Sequence, residues 1–143
     1  ERTSLRVQLH ASHDIWLIRW GAGSRTALHD HGDSAGAFAV VVGDLVEHRP
    51  NPAGVGRRLR RTLRSLDHRP MSANHIHEIA SETVVEARSV HVYSPPLANM
   101  QHYELTPDSE LRVLQQGAIA LGSADIDSGA VDTLGSDDRA ANG

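Results

Sequence analysis

Cysteine is absent from this 143-residue chain. Its absence excludes disulfide bonds, thiolate metal ligands and a cysteine nucleophile, and it fits a reducing compartment, so we expect a cytoplasmic protein. No apolar run approaches the roughly 18 residues that span a membrane, and no basic-then-apolar signal segment opens the chain. The net charge of −4 provides no overall basic field for nucleic acid. We therefore expect neither a membrane nor a nucleic-acid partner, and we expect a monomer.

The sequence does contain a series of short β-strand patterns. The predicted strands cover residues 3–10, 15–20, 26–31, 36–42, 45–49 and 84–93. The strand at residues 3–10 alternates loosely, as an edge strand does. Gly43-Asp44 fits a two-residue hairpin turn that would pair strand 36–42 with strand 45–49. Residues 57–66 fit a helix or a pair of strands equally well. Short strands with Gly and Pro turns indicate an all-β barrel or a double-sheet jelly roll.

The strand pattern ends after Leu114. Residues 117–143 are rich in Gly, Ala, Ser and Asp, with five Asp against one Arg. Such a segment cannot bury enough apolar surface to order itself. We therefore predict a folded domain over residues 1–114 and a disordered acidic tail over residues 115–143.

A basic cluster of five arginines lies within residues 57–64. No aromatic residues are interleaved with them, as they are on surfaces that bind single-stranded nucleic acid. A solvated outer face is the simpler interpretation of this cluster.

Two histidines separated by one residue, His29 and His31, are the first candidates for chemistry. On a strand their side chains point to the same face, where two neutral imidazoles can share a metal ion such as Fe, Zn, Cu or Ni. A His-x-His pair alone is a weak sign of metal binding. A second such pair, His75 and His77, offers a third ligand.

The spacing from Gly23 to Gly43, Gly-x5-His-x-His-x4-Gly-x6-Gly, resembles the first motif of the cupin superfamily. Cupins usually place a ligating Glu where Gly36 stands, so the resemblance implies a site of three histidines. The second cupin motif carries a His followed after three residues by Asn. His77 fits it, whereas Ser81 replaces the Asn. The resemblance implies a cupin-type jelly-roll β-barrel.

Two segments, HDHGDSAGAF and SVHVYSPPL, resemble cysteine dioxygenase in its bacterial form, over roughly residues 4–103. The resemblance implies an Fe(II) cofactor held by His29, His31 and His77. It also implies L-cysteine and O2 as substrates and cysteine sulfinate as product. Mammalian members have, at the position of Gly36, a Cys that is cross-linked to the tyrosine, so we expect Tyr93 to be a free phenol here.

Three polar residues, Ser89, His91 and Tyr93, alternate along one predicted strand and therefore share a face. A polar stripe facing solvent is the plain interpretation. The resemblance implies instead a hydrogen-bonded relay of these catalytic residues, with the phenol over the open positions of the metal. It also implies an arginine near the start of the chain that binds the substrate carboxylate. Arg6 matches, although the usual neighbouring Tyr is Ser4 here.

We therefore expect a non-haem Fe(II) thiol dioxygenase that acts on L-cysteine. Two alternatives stay open. One is a dioxygenase for another small thiol such as 3-mercaptopropionate. The other is a non-catalytic cupin that binds a metal or senses a small molecule, because a fold does not imply a function.

Overall fold

The computed structural model describes residues 1–53 and 58–118, with side chains described as far as Leu114. These ranges contain strands and no helix, and therefore no helix that could cross a membrane. The strands are β1 (Arg2–Leu9), β2 (Asp14–Trp20), β3 (Leu28–His29), β4 (Ala35–Val42), β5 (Leu45–Arg49), β6 (Leu59–Leu63), β7 (His68–Met71), β8 (Glu78–Ala80), β9 (Ala87–Ser94), β10 (Asn99–Leu105) and β11 (Leu111–Ala118).

The strands form antiparallel sheets, which confirms the all-β prediction. A five-stranded sheet has the order β1-β2-β9-β4-β7, with β1 at an edge as its loose alternation indicated. Two three-stranded sheets have the orders β11-β10-β3 and β6-β5-β8. Isolated bridges join these two smaller sheets, one between Arg25 and Ala80 and one between His29 and His77.

The hydrophobic core lies on the inner face of the five-stranded sheet. Along β2 the residues Trp16, Ile18 and Trp20 are buried, whereas Leu17 between them is 43% exposed. Phe38 in β4 joins the same cluster. Because side chains of a strand alternate between faces, one face of each strand supplies the core. Burial of each large apolar side chain contributes about 1.5–3 kcal/mol.

The predicted hairpin at Gly43-Asp44 is wrong. β4 pairs with β7 and β9, whereas β5 pairs with β6 and β8, so the two strands lie in different sheets. The register of β4 shifts between Val40 and Val42, and Gly43 has a φ of +74°. A bulge followed by a glycine in the left-handed region bends the chain out of its sheet.

Several predicted boundaries also differ from the structure. The strand expected at residues 26–31 is shorter in the structure, where it is β3, so His31 lies beyond its end. The strand expected from residue 84 begins at Ala87 as β9, and Val84 and Val85 before it are exposed. The ambiguous segment 57–66 contains the strand β6.

The predicted domain boundary at Leu114 stays a prediction, and it falls within the last strand. The last strand, β11, continues to Ala118 by pairing with β10. Backbone pairing does not need an apolar pattern, so composition did not reveal it. The disordered tail was predicted to include residues 119–143, and these lie outside the described residues.

Candidate metal centre

Three histidines meet inside the barrel. His29 ends β3 and His31 follows it, whereas His77 immediately precedes β8. Two backbone hydrogen bonds fix His29 to His77, since each amide donates to the other's carbonyl at 2.9 Å. One ligand nitrogen from each of the three histidines lies within 4.8 Å of the others. The structure thus brings together the three histidines that the motifs indicated as ligands. The bridge that joins them connects β3 with the start of β8, which are far apart in the sequence.

The hydrogen bonds of the three rings indicate which nitrogens face the centre. Nδ1 of His29 donates to the carbonyl of Ala27 at 2.7 Å, and Nδ1 of His77 donates to Glu47 Oε1 at 3.0 Å. Since the acceptors carry no proton, each Nδ1 is protonated and each Nε2 keeps a free lone pair. Both ring nitrogens of His31 are buried and have no hydrogen-bond partner among the described residues. Buried polar atoms without partners are costly, and a metal ion satisfies one of them.

The electrostatics of the cluster favour neutral imidazoles. Burial is the main cause that lowers the pKa of His29, His31 and His77 below the usual value, and the neighbouring rings add to the effect on each of them. Neutral imidazole is the form of histidine that binds a metal ion. The residues present therefore fit a metal ion held by three neutral ligands.

A buried carboxylate, which sequence reasoning missed, supports this cluster. Glu47 on β5 is 1% exposed and accepts hydrogen bonds from His77, His75 and Arg69. Although burial raises the pKa of its carboxyl, these hydrogen bonds hold the net pKa well below the usual value. Its position on the strand after Gly43 was visible in the sequence, but its contacts depend on how β5 packs.

A chain of hydrogen bonds runs along the inner face of β9. Nε1 of Trp20 donates to Ser89 Oγ at 2.8 Å, Ser89 Oγ lies 2.8 Å from His91 Nε2, and His91 Nδ1 lies 3.2 Å from Tyr93 Oη. All three β9 residues are buried, so the interpretation as a solvated stripe is wrong. The ring of Tyr93 lies 5.0 Å from that of His31, centroid to centroid. Trp20, which orients the serine, was not singled out as a site residue.

Burial sets the protonation of this row. It lowers the pKa of His91 to about 3 and raises that of the Tyr93 phenol. At neutral pH the imidazole is therefore uncharged, so one of its nitrogens donates while the other accepts. The phenol keeps its proton and can give it to a hydrogen-bond partner in the cavity.

One internal cavity joins the two groups, since its lining includes His29, His77, His91 and Tyr93. Arg2 of β1 lines it as well, is 9% exposed and stacks over Trp20 at 5.5 Å. None of the described residues that line this cavity is Asp or Glu.

The structure does not place Arg6 among the residues that line the cavity. Its guanidinium lies over the ring of Trp16 at 5.3 Å and 3.9 Å from the carboxylate of Asp14. Asp14 is fully buried, and its burial raises the pKa of its carboxyl. Arg2 and Arg6 face the same side of β1, because their register partners Trp20 and Trp16 are both buried.

The basic cluster is partly neutralised on the protein itself. Arg58 pairs with Glu78 at 2.6 Å and Arg60 pairs with Glu82 at 2.7 Å. Arg57 lies outside the described residues.

Antiparallel sheets of this topology around a three-histidine centre define a cupin-type metalloprotein. The fold is similar to that of a protein from Thermus thermophilus (TM-score 0.57, 15% identity, covering 67% of this chain and 85% of that one). It is also similar to a cupin superfamily protein from Desulfitobacterium hafniense (TM-score 0.55, 14% identity, 66% and 77%) and to a sugar phosphate isomerase from Silicibacter pomeroyi (TM-score 0.56, 19% identity, 71% and 64%). At these identities the likeness concerns the fold alone.

The family is defined by the sequence itself. The model of cysteine dioxygenase type I matches residues 1–106, so this chain belongs to that family. No curated protein sequence matches the chain significantly.

Proposed function

We propose that this protein is a non-haem Fe(II) thiol dioxygenase that oxidises L-cysteine with O2 to cysteine sulfinate. One observation carries the proposal. Two members of the three-histidine cluster, His29 and His77, line the same buried cavity as His91 and Tyr93, so a metal ion held by the cluster would lie close to the phenol proton. The family match supports the reaction class.

The proposed metal ligands are His29, His31 and His77. Neutral imidazoles suit several transition metals, and the choice of Fe(II) rests on the family. When bound, Fe(II) supplies the redox chemistry that joins both atoms of O2 to the substrate sulfur. The ligands add no negative charge, so the substrate thiolate is the group that offsets the charge of the metal.

Tyr93 is the proposed proton carrier of the site. Its hydroxyl lies within hydrogen-bond distance of His91, and the imidazole holds the phenol in one orientation. Because the chain contains no cysteine, no thioether bond restrains this ring. When His91 Nδ1 donates to Tyr93 Oη, the hydroxyl keeps its own proton for donation toward the substrate.

An arginine of β1 is proposed to bind the substrate carboxylate. A guanidinium clamps a carboxylate through two parallel hydrogen bonds. The family resemblance favours Arg6, whereas the cavity lining favours Arg2.

The two arginines can be separated kinetically. We expect Arg2→Gln to raise the KM for cysteine while leaving the metal content unchanged, and Arg6→Gln to change KM less. The reverse order would return the role to Arg6.

The dioxygenase reaction is tested by loading the protein with Fe(II) without oxygen and then following O2 uptake with cysteine. Mass spectrometry of the product should show two added oxygen atoms on the sulfur. The His31→Ala protein is the control that lacks one ligand. Absence of O2 uptake with cysteine, 3-mercaptopropionate and cysteamine would refute the dioxygenase.

A second candidate substrate is 3-mercaptopropionate. The cavity lining offers a cation for a carboxylate, but within the described chain it offers no carboxylate for an ammonium group. A thiol without an amine fits this lining as well as cysteine does. Comparison of kcat/KM for the two thiols decides between them.

A further inference from the structure

We propose that Glu47 is a positioning residue of the metal centre, which fixes the ring of His77 and makes it the most electron-rich of the three ligands. The inference rests on the metal site of the proposed function. It concerns a network of buried side chains that do not line the cavity and that contact His77 through its Nδ1.

The geometry of this network is specific. Glu47 Oε1 accepts from His77 Nδ1 at 3.0 Å and from His75 Nε2 at 2.6 Å, while its Oε2 accepts from Arg69 Nε at 2.7 Å. Glu47, His75 and His77 are nearly inaccessible to solvent. Three donors on one buried carboxylate leave it little freedom to move, so its direction toward His77 is set by the fold.

The three proposed ligands are consequently unequal. His77 donates to a charged carboxylate and His29 to the neutral carbonyl of Ala27, whereas within the described part of the chain neither nitrogen of His31 has a hydrogen-bond partner. A carboxylate that accepts the Nδ1 proton pulls positive charge away from the ring and raises the basicity of the other nitrogen. Negative charge thus reaches the centre through His77 rather than through a direct carboxylate ligand.

The same atoms satisfy the distance condition for a second metal site, because ligand atoms of Glu47, His75 and His77 lie within 4.8 Å of one another. The distances argue for hydrogen bonds instead. At 2.6 and 3.0 Å from Glu47 Oε1, the two ring nitrogens are donors to that oxygen. The other oxygen of the carboxylate, Oε2, is already occupied by the hydrogen bond from Arg69.

The test compares two isosteric substitutions, Glu47→Gln and Glu78→Gln. Glu78 is a matched control because it is buried, pairs with Arg25 and Arg58, and bonds to no imidazole in the described structure. The affinity for Co(II), used as the probe, is measured by competition with a chelator, and the ligand-field spectrum of the bound ion is recorded. Thermal unfolding of each apoprotein checks its fold.

We expect Glu47→Gln to weaken Co(II) binding by about 10- to 100-fold and to shift the ligand-field bands, as loss of a partner behind a ligating histidine does. We expect Glu78→Gln to lower stability while leaving the Co(II) affinity within about threefold of wild type. Equal losses in both variants, or an unchanged affinity in Glu47→Gln, would overturn the positioning role. Failure of the wild-type protein to bind Co(II) would instead refute the metal site of the proposed function.

A second measurement needs no variant. In the zinc-loaded wild-type protein labelled with 15N-histidine, we expect NMR to show His77 protonated on Nδ1 and bound to zinc through Nε2. A proton on Nε2, or zinc on Nδ1, would contradict the role of Glu47 even if the variant failed to fold.

Discussion

Replacement of Gly36 by alanine is expected to destabilise this protein and to displace the phenol of Tyr93. Gly36 on β4 lies opposite Tyr93 on β9 and Met71 on β7. A Cβ added to Gly36 would clash with the carbonyl oxygen of Val92 and would lie 3.0 Å from Cδ1 of Tyr93. The first of these contacts is with backbone and cannot be relieved by a side-chain rotation, so β4 and β9 must separate.

The size of the effect follows from the kind of clash. Overpacking a well-packed interior costs typically about 1–3 kcal/mol, and a backbone contact this short places Gly36→Ala near the upper end. For a domain of this size the loss corresponds to a fall in Tm of roughly 10 °C. Turnover should fall as well, because the added methyl pushes against the ring of Tyr93.

The measurement is thermal unfolding by circular dichroism together with the rate of O2 uptake. Gly23→Ala is the control, since its Cβ meets nothing within 4 Å and its only cost is a φ of +71°. That control should lose about 1–2 kcal/mol of stability and keep its turnover per bound iron. A Gly36→Ala protein with a Tm within about 2 °C of wild type and unreduced turnover would refute the reasoning.

Three further predictions concern the centre and its surroundings. Tyr93→Phe should retain iron but lower kcat by about 100-fold or more, the usual contribution of a positioned proton donor. The control is Tyr103→Phe, which should keep its kcat because the hydroxyl of Tyr103 donates to Asp30 at 2.7 Å. Similar rates for both variants would contradict the role of Tyr93. His31→Ala should reduce the iron bound per chain when the metal is assayed after gel filtration, and His102→Ala should not, although its ring lies 6.2 Å from that of His29. The apoprotein should lose stability as the pH falls below about 6.5, because the unfolded state then protonates histidines that burial keeps neutral in the fold. Each such histidine lowers the free energy of unfolding by up to about 1.4 kcal/mol per pH unit. The histidines concerned are His29, His31, His77 and His91. Urea unfolding of the apoprotein at pH 7.5, 6.5 and 5.5 measures this slope, and a stability independent of pH over that range would show that these rings are charged or solvated.

The structure gives a steric reason for Gly36. The sequence shows only that the carboxylate usual in cupins is missing there. A side chain at this position would meet the backbone of β9 at the carbonyl oxygen of Val92. The nearest equivalent of the missing charge is Glu47, which reaches the centre through His77.

Contacts between distant parts of the chain were beyond the reach of the sequence. The role of Glu47 depends on β5 leaving the sheet of β4 and packing against β8, which the hairpin prediction at Gly43 did not allow. The choice between Arg2 and Arg6 likewise depends on contacts that the sequence does not reveal. Strand alternation puts both on one face of β1, but only the packing shows which of them reaches the cavity.

The sequence by itself determined the features that local geometry controls. A period of two along β9 puts Ser89, His91 and Tyr93 on one face, and the resemblance of the motifs to the family indicates His29, His31 and His77 as candidate ligands. The tertiary structure alone decided which face is buried, how the bridge between His29 and His77 closes the centre, and which charges stand behind it. The physical reason is that a strand fixes the direction of its own side chains, whereas its neighbours are selected by burial and hydrogen bonding over the whole chain.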